Sequence, residues 1–150
     1  MYTRQEVSQT RQRFWTTFGQ YMWPVKGATG DTVNWLNYKT GIRHIYFRMD
    51  AGPEGASVAI ELQHPDIALR HHYFEQLIRL KTLLENATGE KWDWEQDQKD
   101  ESGRLISRTG IRLNGITILQ DSDWPAIISF LKPRIIALDQ FWSEVKDGFE

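Results

Sequence analysis

The chain has 150 residues, a net charge of −2 and an isoelectric point near 6.1. That balance removes any bulk electrostatic pull toward nucleic acid or anionic membrane and leaves only local basic patches to consider. The absence of cysteine excludes disulfides, thiolate metal sites and a thiol nucleophile together. The length predicts one domain over residues 1–150 with a sizeable core. The opening MYTRQEVSQTRQRF is polar and unlike a signal peptide, and no apolar run approaches the roughly 18 residues of a membrane span. The expectation is a cytoplasmic protein, in which the sequon at Asn86-Ala87-Thr88 has no meaning. Seven tryptophans are expected mainly as core blocks, with stacking platforms as the rival use.

In chain order, Val7, Arg11, Phe14, Phe18 and Met22 share one face of a helix predicted from about Thr3 to Met22, with Trp15 beside them and Pro24 ending it. Lys26 to Thr32 reads as a loop. Three strand signals follow: Val33 to Tyr38, Arg43 to Asp50 and Val58 to Gln63, with Ala51 to Ala56 as a loop. Pairing the last two as a hairpin sets Met49 opposite Val58, Phe47 opposite Ile60 and Ile45 opposite Leu62. On the other face Tyr46 then meets Glu61 and His44 meets Gln63. A second helix is predicted from Asp66 to Asn86, with Leu69, Tyr73, Leu77, Leu80 and Leu84 inward and Gly89 as its stop. Lys91 to Gln96, Arg104 to Leu113 and Gly115 to Gln120 read as three more strands. Gln96 to Gly103 is the expected mobile turn, and Asn114-Gly115 a tight hairpin.

The last stretch is the most regular. Trp124, Ile128, Leu131, Ile135, Leu138, Trp142, Val145 and Phe149 recur at alternating intervals of four and three, behind Asp121, Ser122 and Asp123 as cap candidates and Pro125 in the first turn. At 1.5 Å per residue that helix measures roughly 39 Å, enough to cross the whole domain. Pro133 falls on its solvent side, where it bends the helix around the core. Ala126, Ile127, Phe130 and Ile136 make its first half apolar around most of its girth. That half is either buried on two sides or meets a second copy as a homodimer. The order helix, three strands, helix, three strands, helix implies an α+β fold: a single twisted, mainly antiparallel sheet with helices on one face and the other face wet. Its two similar halves hint at a duplication, although no residue motif repeats.

Catalytic chemistry finds little support. The order of the first 95 or so residues matches that of PD-(D/E)XK nucleases, whose acidic residue and Glu-x-Lys pair surround one Mg²⁺. The candidates here are Asp50, Glu61 and, in place of the lysine, Gln63. The hairpin register sets Asp50 opposite Ser57, four residues along from Glu61, or roughly 13 Å, too far for two carboxylates that share an ion at about 2.1 Å. His71 and His72 diverge on their helix, and His44 and His64 complete no set of three or four ligands. Gly27-Ala28-Thr29-Gly30 lacks the lysine of a phosphate loop. No catalytic residue, metal site or cofactor is expected.

The polar sheet face is the candidate site: His44, Tyr46, Arg48, Glu61 and Gln63, with Arg108 and Arg112 from the second half. It is either a solvated face of weak cross-strand pairs or an arginine and tyrosine platform for a nucleic-acid strand or a protein. Arginine suits planar and phosphate contacts better than lysine.

Phe14-Trp15, Trp35-Leu36, the run Val58-Ala59-Ile60-Glu61-Leu62, Phe74 and Leu77 before Gly89, Trp92 and Trp94 after it, and Asp123-Trp124-Pro125 form an ordered series. In that order the chain resembles the bacterial domain of unknown function (DUF) 4268 family along essentially its whole length. The resemblance implies an accessory domain, which in longer proteins often follows a nuclease-like domain. It supplies no catalytic residues. The function expected is therefore a non-catalytic binding or accessory domain of a bacterial nuclease or defence system, its partner a protein or nucleic acid. The alternatives are a divergent metal-dependent nuclease and a structural homodimer.

Overall fold

The computed structural model describes residues 1–150. Helix α1 (Arg4–Met22) opens on a capping box in which Thr3 Oγ1 accepts from the Glu6 amide and Glu6 Oε1 accepts from the Thr3 amide. Its buried side chains, Phe14, Phe18 and Met22, lie on the expected face. Then come β1 (Ile45–Gly52), β2 (Gly55–Leu62), α2 (Ile67–Arg79), α3 (Lys81–Thr88), β3 (Asp93–Lys99), β4 (Leu105–Asn114) and α4 (Trp124–Val145).

The four strands form one antiparallel sheet in the order β1-β2-β4-β3. Exchanging the unit β1-β2-α2/α3 with the unit β3-β4-α4 leaves that order unchanged, the topology two related halves would give. The β1-β2 register agrees with the expected one at every pair, Ile45 with Leu62 through Met49 with Val58. One row across the sheet reads Phe47, Ile60, Thr109, Trp94. Trp142 of α4 packs edge-on against Phe47 at 5.6 Å between centroids, and Phe74 of α2 packs against Trp94 at 5.9 Å. Both helices therefore cover the same face, and the core lies between it and them.

Two of the six expected strands are not strands. Val33 to Tyr38 instead contains a short 3-10 turn, Trp35–Asn37, where Asn34 Oδ1 accepts from the Asn37 amide and the Trp35 indole N–H donates to Val25 O. The asparagine turn chemistry overrides the alternation of apolar residues. Gly115 to Gln120 is held by side chains: Asp123 Oδ2 accepts from the Thr117 amide, and the Trp124 indole donates to Ile118 O. Asn114-Gly115 closes no hairpin, because Asn114 Oδ1 accepts from Arg112 Nε and Gly115 turns the chain away at φ 80°. The expected loop 51–56 shrinks to Pro53 and Glu54, since the small residues Ala51, Gly52, Gly55 and Ala56 pair to the end of the ladder.

The second helix breaks at Leu80 (φ −98°, ψ 9°) into α2 and α3. Its inward face is Arg70, Phe74 and Leu77, while Leu69 is exposed. Arg70 can turn inward because it is fully paired: Nε and Nη2 donate to Asp97 Oδ1 at 3.0 and 2.9 Å, and Nη1 donates to His64 O. Asp97 sits at φ 54° in a β-bulge between Glu95 and Gln98, which turns its carboxylate toward the helices. His71 Nε2 meets its other oxygen at 2.6 Å.

Helix α4 follows a 3-10 turn at Asp121–Asp123 and continues as another, Lys146–Phe149, so the seam runs on to a buried Phe149 as expected. Ile127 and Phe130 are buried within the protomer, Ala126 is exposed and Ile136 half-buried. Burial of Ile127 and Phe130 follows from the packing of this helix against α3 and the sheet. Buried Asp139 anchors the loop around Gly27. Its carboxylate accepts from the Ala28 amide at 2.7 Å and from the Tyr38 hydroxyl. Burial first, then the bond to Asp139 and its charge, push the Tyr38 phenol well above its ordinary pKa.

Candidate functional site

The uncovered face of the sheet is a shallow trough of about 790 Å³. The register builds it in rows. Tyr46, Glu61, Arg108 and Glu95 form one; Arg48, Ala59, Gly110 and Asp93 the next; Asp50, Ser57 and Arg112 the third. The middle row is low at its centre because Ala59 and Gly110 carry almost no side chain there. The Arg108 guanidinium occupies that space: a Cβ on Gly110 would stand 2.8 Å from Arg108 Nη2 and 3.1 Å from Val58 O.

Six of the seven expected residues, Tyr46, Arg48, Glu61, Gln63, Arg108 and Arg112, thus share this face. Gln63 also lines the trough, with little of its side chain exposed, and donates from Nε2 to Glu61 Oε1 at 2.9 Å, which holds Glu61 in place. His44 lies outside the trough. It takes left-handed angles (φ 71°) just before β1, and its ring stands 4.5 Å from that of His64. Desolvation first, then the charges of His64 and Arg43, lower its pKa.

The charges interleave. Arg48 Nε is 3.7 Å from Glu61 Oε1, and Arg108 Nη1 is 3.6 Å from Glu95 Oε1. These are long, partly exposed pairs of small energetic weight. Arg108 Nε is buried without a hydrogen-bond partner. Arg112 has only neutral partners, Asn114 Oδ1 and Glu54 O. The Arg48 guanidinium lies over the Tyr46 ring at 5.1 Å. The cations lining the trough are Arg48, Lys99, Arg104, Arg108 and Arg112; the anions are Asp50, Glu61, Asp93, Glu95, Asp100 and Glu101. Five against six is close to neutral.

Asp50 pairs with Ser57, and Glu61 stands four residues further along β2, which is roughly 13 Å. No group of three or more His, Asp or Glu side chains is placed to hold a metal ion.

The β3 contribution, Asp93, Glu95 and Lys99, was not among the expected site residues. The alternation of Asp93 and Glu95 with Trp92 and Trp94 marks their face, but the bulge hides how they align with β4. The expected mobile turn Gln96 to Gly103 is strand as far as Lys99, and the remainder is fixed by side-chain bonds. Asp100 Oδ1 accepts from the Ser102 amide and hydroxyl and from the Arg104 amide, and Oδ2 accepts from Arg104 Nε. Led by the Ser102 hydroxyl, these bonds bring the Asp100 pKa down to about 2.

Gly110→Ala is expected to cost about 2 kcal/mol, because the added methyl meets main-chain oxygen as well as a movable guanidinium. Chemical denaturation measures the loss, and the displaced Arg108 should shift the amide resonances of Ala59 and Glu61.

A family model described as "Domain of unknown function (DUF4268)" matches residues 10–146. The chain belongs to that family. No curated protein matches the chain, and no solved structure does.

Proposed function

We propose that this domain is a non-catalytic binding module of a cytoplasmic, bacterial nuclease or defence system, and that its open sheet face docks a protein component of that system. The observation that carries the reading is the charge pattern of the trough: five cations interleaved with six anions around a floor of Ala59 and Gly110. A surface of alternating sign suits a protein of matching pattern better than a polyanion, because each phosphate brought to it would also meet a carboxylate. The link to nucleic-acid processing rests on the family resemblance alone. The separation of Asp50 from Glu61 speaks against a shared metal and hence against the nuclease alternative.

A second reading has one observation in its favour. Arg48 over exposed Tyr46 is a planar, cationic pair of the kind on which a nucleobase stacks.

The test uses a photo-crosslinking side chain at Ser57, in the trough, in cells that carry the native gene neighbourhood. A crosslinked polypeptide encoded in that neighbourhood, lost in Arg112→Glu, supports docking of a protein. Oligonucleotide binding decides for the second reading if affinity falls steeply with salt, by up to about a hundredfold between 50 and 200 mM for five phosphate contacts to a single strand, and Arg48→Ala weakens it. Mg²⁺-dependent cleavage of single-stranded or plasmid DNA, abolished by Glu61→Ala, overturns both.

A further inference from the structure

The two outer strands of the sheet, β1 and β3, differ in how their free edges are treated. Edge strands are commonly protected by charge or by coverage. The β3 sequence, Asp93 to Lys99, is almost wholly polar. The β1 edge is covered only at its two ends.

Because the Gln63 amide donates to His44 O, the even-numbered residues of β1 turn their main-chain groups toward β2, and the odd-numbered ones turn theirs outward. At one end the Ile45 amide donates to Ile42 O, and Ile45 O accepts from Thr40 Oγ1 at 2.7 Å. At the other end Ala51 O accepts from Arg11 Nε at 3.3 Å. Between them, the N–H and C=O groups of Phe47 and Met49 point away from β2, and β1 has no other neighbour in the sheet. The open window is three residues long, roughly 10 Å.

Beside this window lies an apolar pocket of about 220 Å³, lined by Trp15, Leu36 and Met49. Leu36 is 47% exposed and is seated by close contact with Gly19 of α1, whose hydrogen stands where a Cβ would come within 3.2 Å of Leu36 Cδ1. Side chains alternate across a strand. A strand laid along the window and bonded to Phe47 and Met49 therefore turns the residue opposite Met49 toward the pocket. Its neighbour, opposite Arg48, turns toward the polar face.

We propose that the β1 edge at Phe47–Met49 takes up an extended segment of a partner polypeptide, which places one large apolar side chain in the Trp15–Leu36–Met49 pocket and an acidic side chain beside Arg48. The chemistry of the occupant follows from the window. Unpaired main-chain donors and acceptors at strand spacing call for another main chain. The exposed Arg48 guanidinium favours a carboxylate across from it. A second copy of this chain fits poorly. Antiparallel pairing of two β1 edges about Arg48 would oppose one Arg48 to the other, and would set the Arg11 plug of each copy against the Thr40–Ile42 plug of its mate. The proposal shares Arg48 with the polar trough but does not require that the trough bind a protein.

The probe is a phage-displayed library of random heptapeptides, with the enriched sequences remade as synthetic peptides. Enrichment of an apolar residue next to an acidic one is expected. N-methylation along the bound peptide should then alternate in effect, with roughly tenfold or greater loss of affinity at amides that face the edge and little change between them. Leu36→Asp should weaken binding by a similar factor with an unchanged circular dichroism spectrum, while Arg112→Ala leaves it intact. The proposal is overturned if no peptide is enriched, if N-methylation shows no alternation, or if Leu36→Asp binds normally. It is equally overturned if the domain self-associates with the Phe47 and Met49 amides protected.

Discussion

Trp142→Ala is expected to destabilise the domain by about 4 kcal/mol, enough to lower its melting temperature by roughly 12 °C for a domain of this size. Trp142 is 2% exposed, and its ring meets both Phe47 of β1 and Phe149 at the end of the chain. Its indole N–H also donates to Thr40 O at 2.7 Å. The truncation therefore opens a cavity between helix and sheet and leaves a buried carbonyl unsatisfied. Trp142→Phe keeps most of the packing and loses the hydrogen bond, so it should recover more than half of the loss. Thermal denaturation of the three proteins separates the two contributions; equal losses in both variants would show that packing against Phe47 is unimportant.

Asp97→Ala should cost about 3 kcal/mol at neutral pH. Removing one partner of a buried ion pair strands the other charge, and the Arg70 side chain is only 3% exposed. The figure sits at the low end of the range because the Asp97 side chain is 29% exposed and partly screened. Converting both partners, with Arg70→Met added, should restore part of the stability, since an apolar pair leaves no unpaired charge. The pH dependence has a definite sign. Burial alone would raise the Asp97 pKa, but the hydrogen bonds and charges of His71 and Arg70 outweigh it and hold the pKa below the ordinary value. A carboxylate with a lowered folded-state pKa adds stability above its unfolded pKa of about 3.9 and loses it as pH falls through the folded value. The gap between wild type and Asp97→Ala in denaturant midpoint should therefore be full at pH 7 and close progressively below about pH 4. A gap independent of pH would mean that the carboxylate charge plays no part.

Both variants probe features with different legibility in the sequence. The Trp142 position is readable because the α4 seam repeats at helical spacing and nothing competes with it. The β1-β2 register is equally readable: with apolar residues on one face of each strand, a slip by one residue would invert both faces. The trough follows from that register, so the β1-β2 hairpin alone places Tyr46, Arg48 and Glu61 on one face. Arg70 shows the opposite case. Periodicity points Leu69 inward, and only a carboxylate 27 residues away, turned by a bulge that no local pattern announces, explains why arginine takes the buried position. Asp139 is similar, since its partners Ala28 and Tyr38 lie in a loop far off in sequence. At Val33 to Tyr38, local asparagine bonding defeats a pattern that alternation alone reads as a strand.

The strand order carries a kinetic consequence. Each hairpin closes over a short connection, so β1 with β2 and β3 with β4 can zip on the microsecond scale. The junction of β2 with β4 joins Val58 to Ile111, and it must first draw together a chain of about fifty residues. The meeting of the two ribbons along their inner strands is therefore the expected slow step, and a substitution on that line, such as one at Ala59 or Gly110, is expected to slow folding more than it speeds unfolding, which stopped-flow refolding and unfolding rates would show.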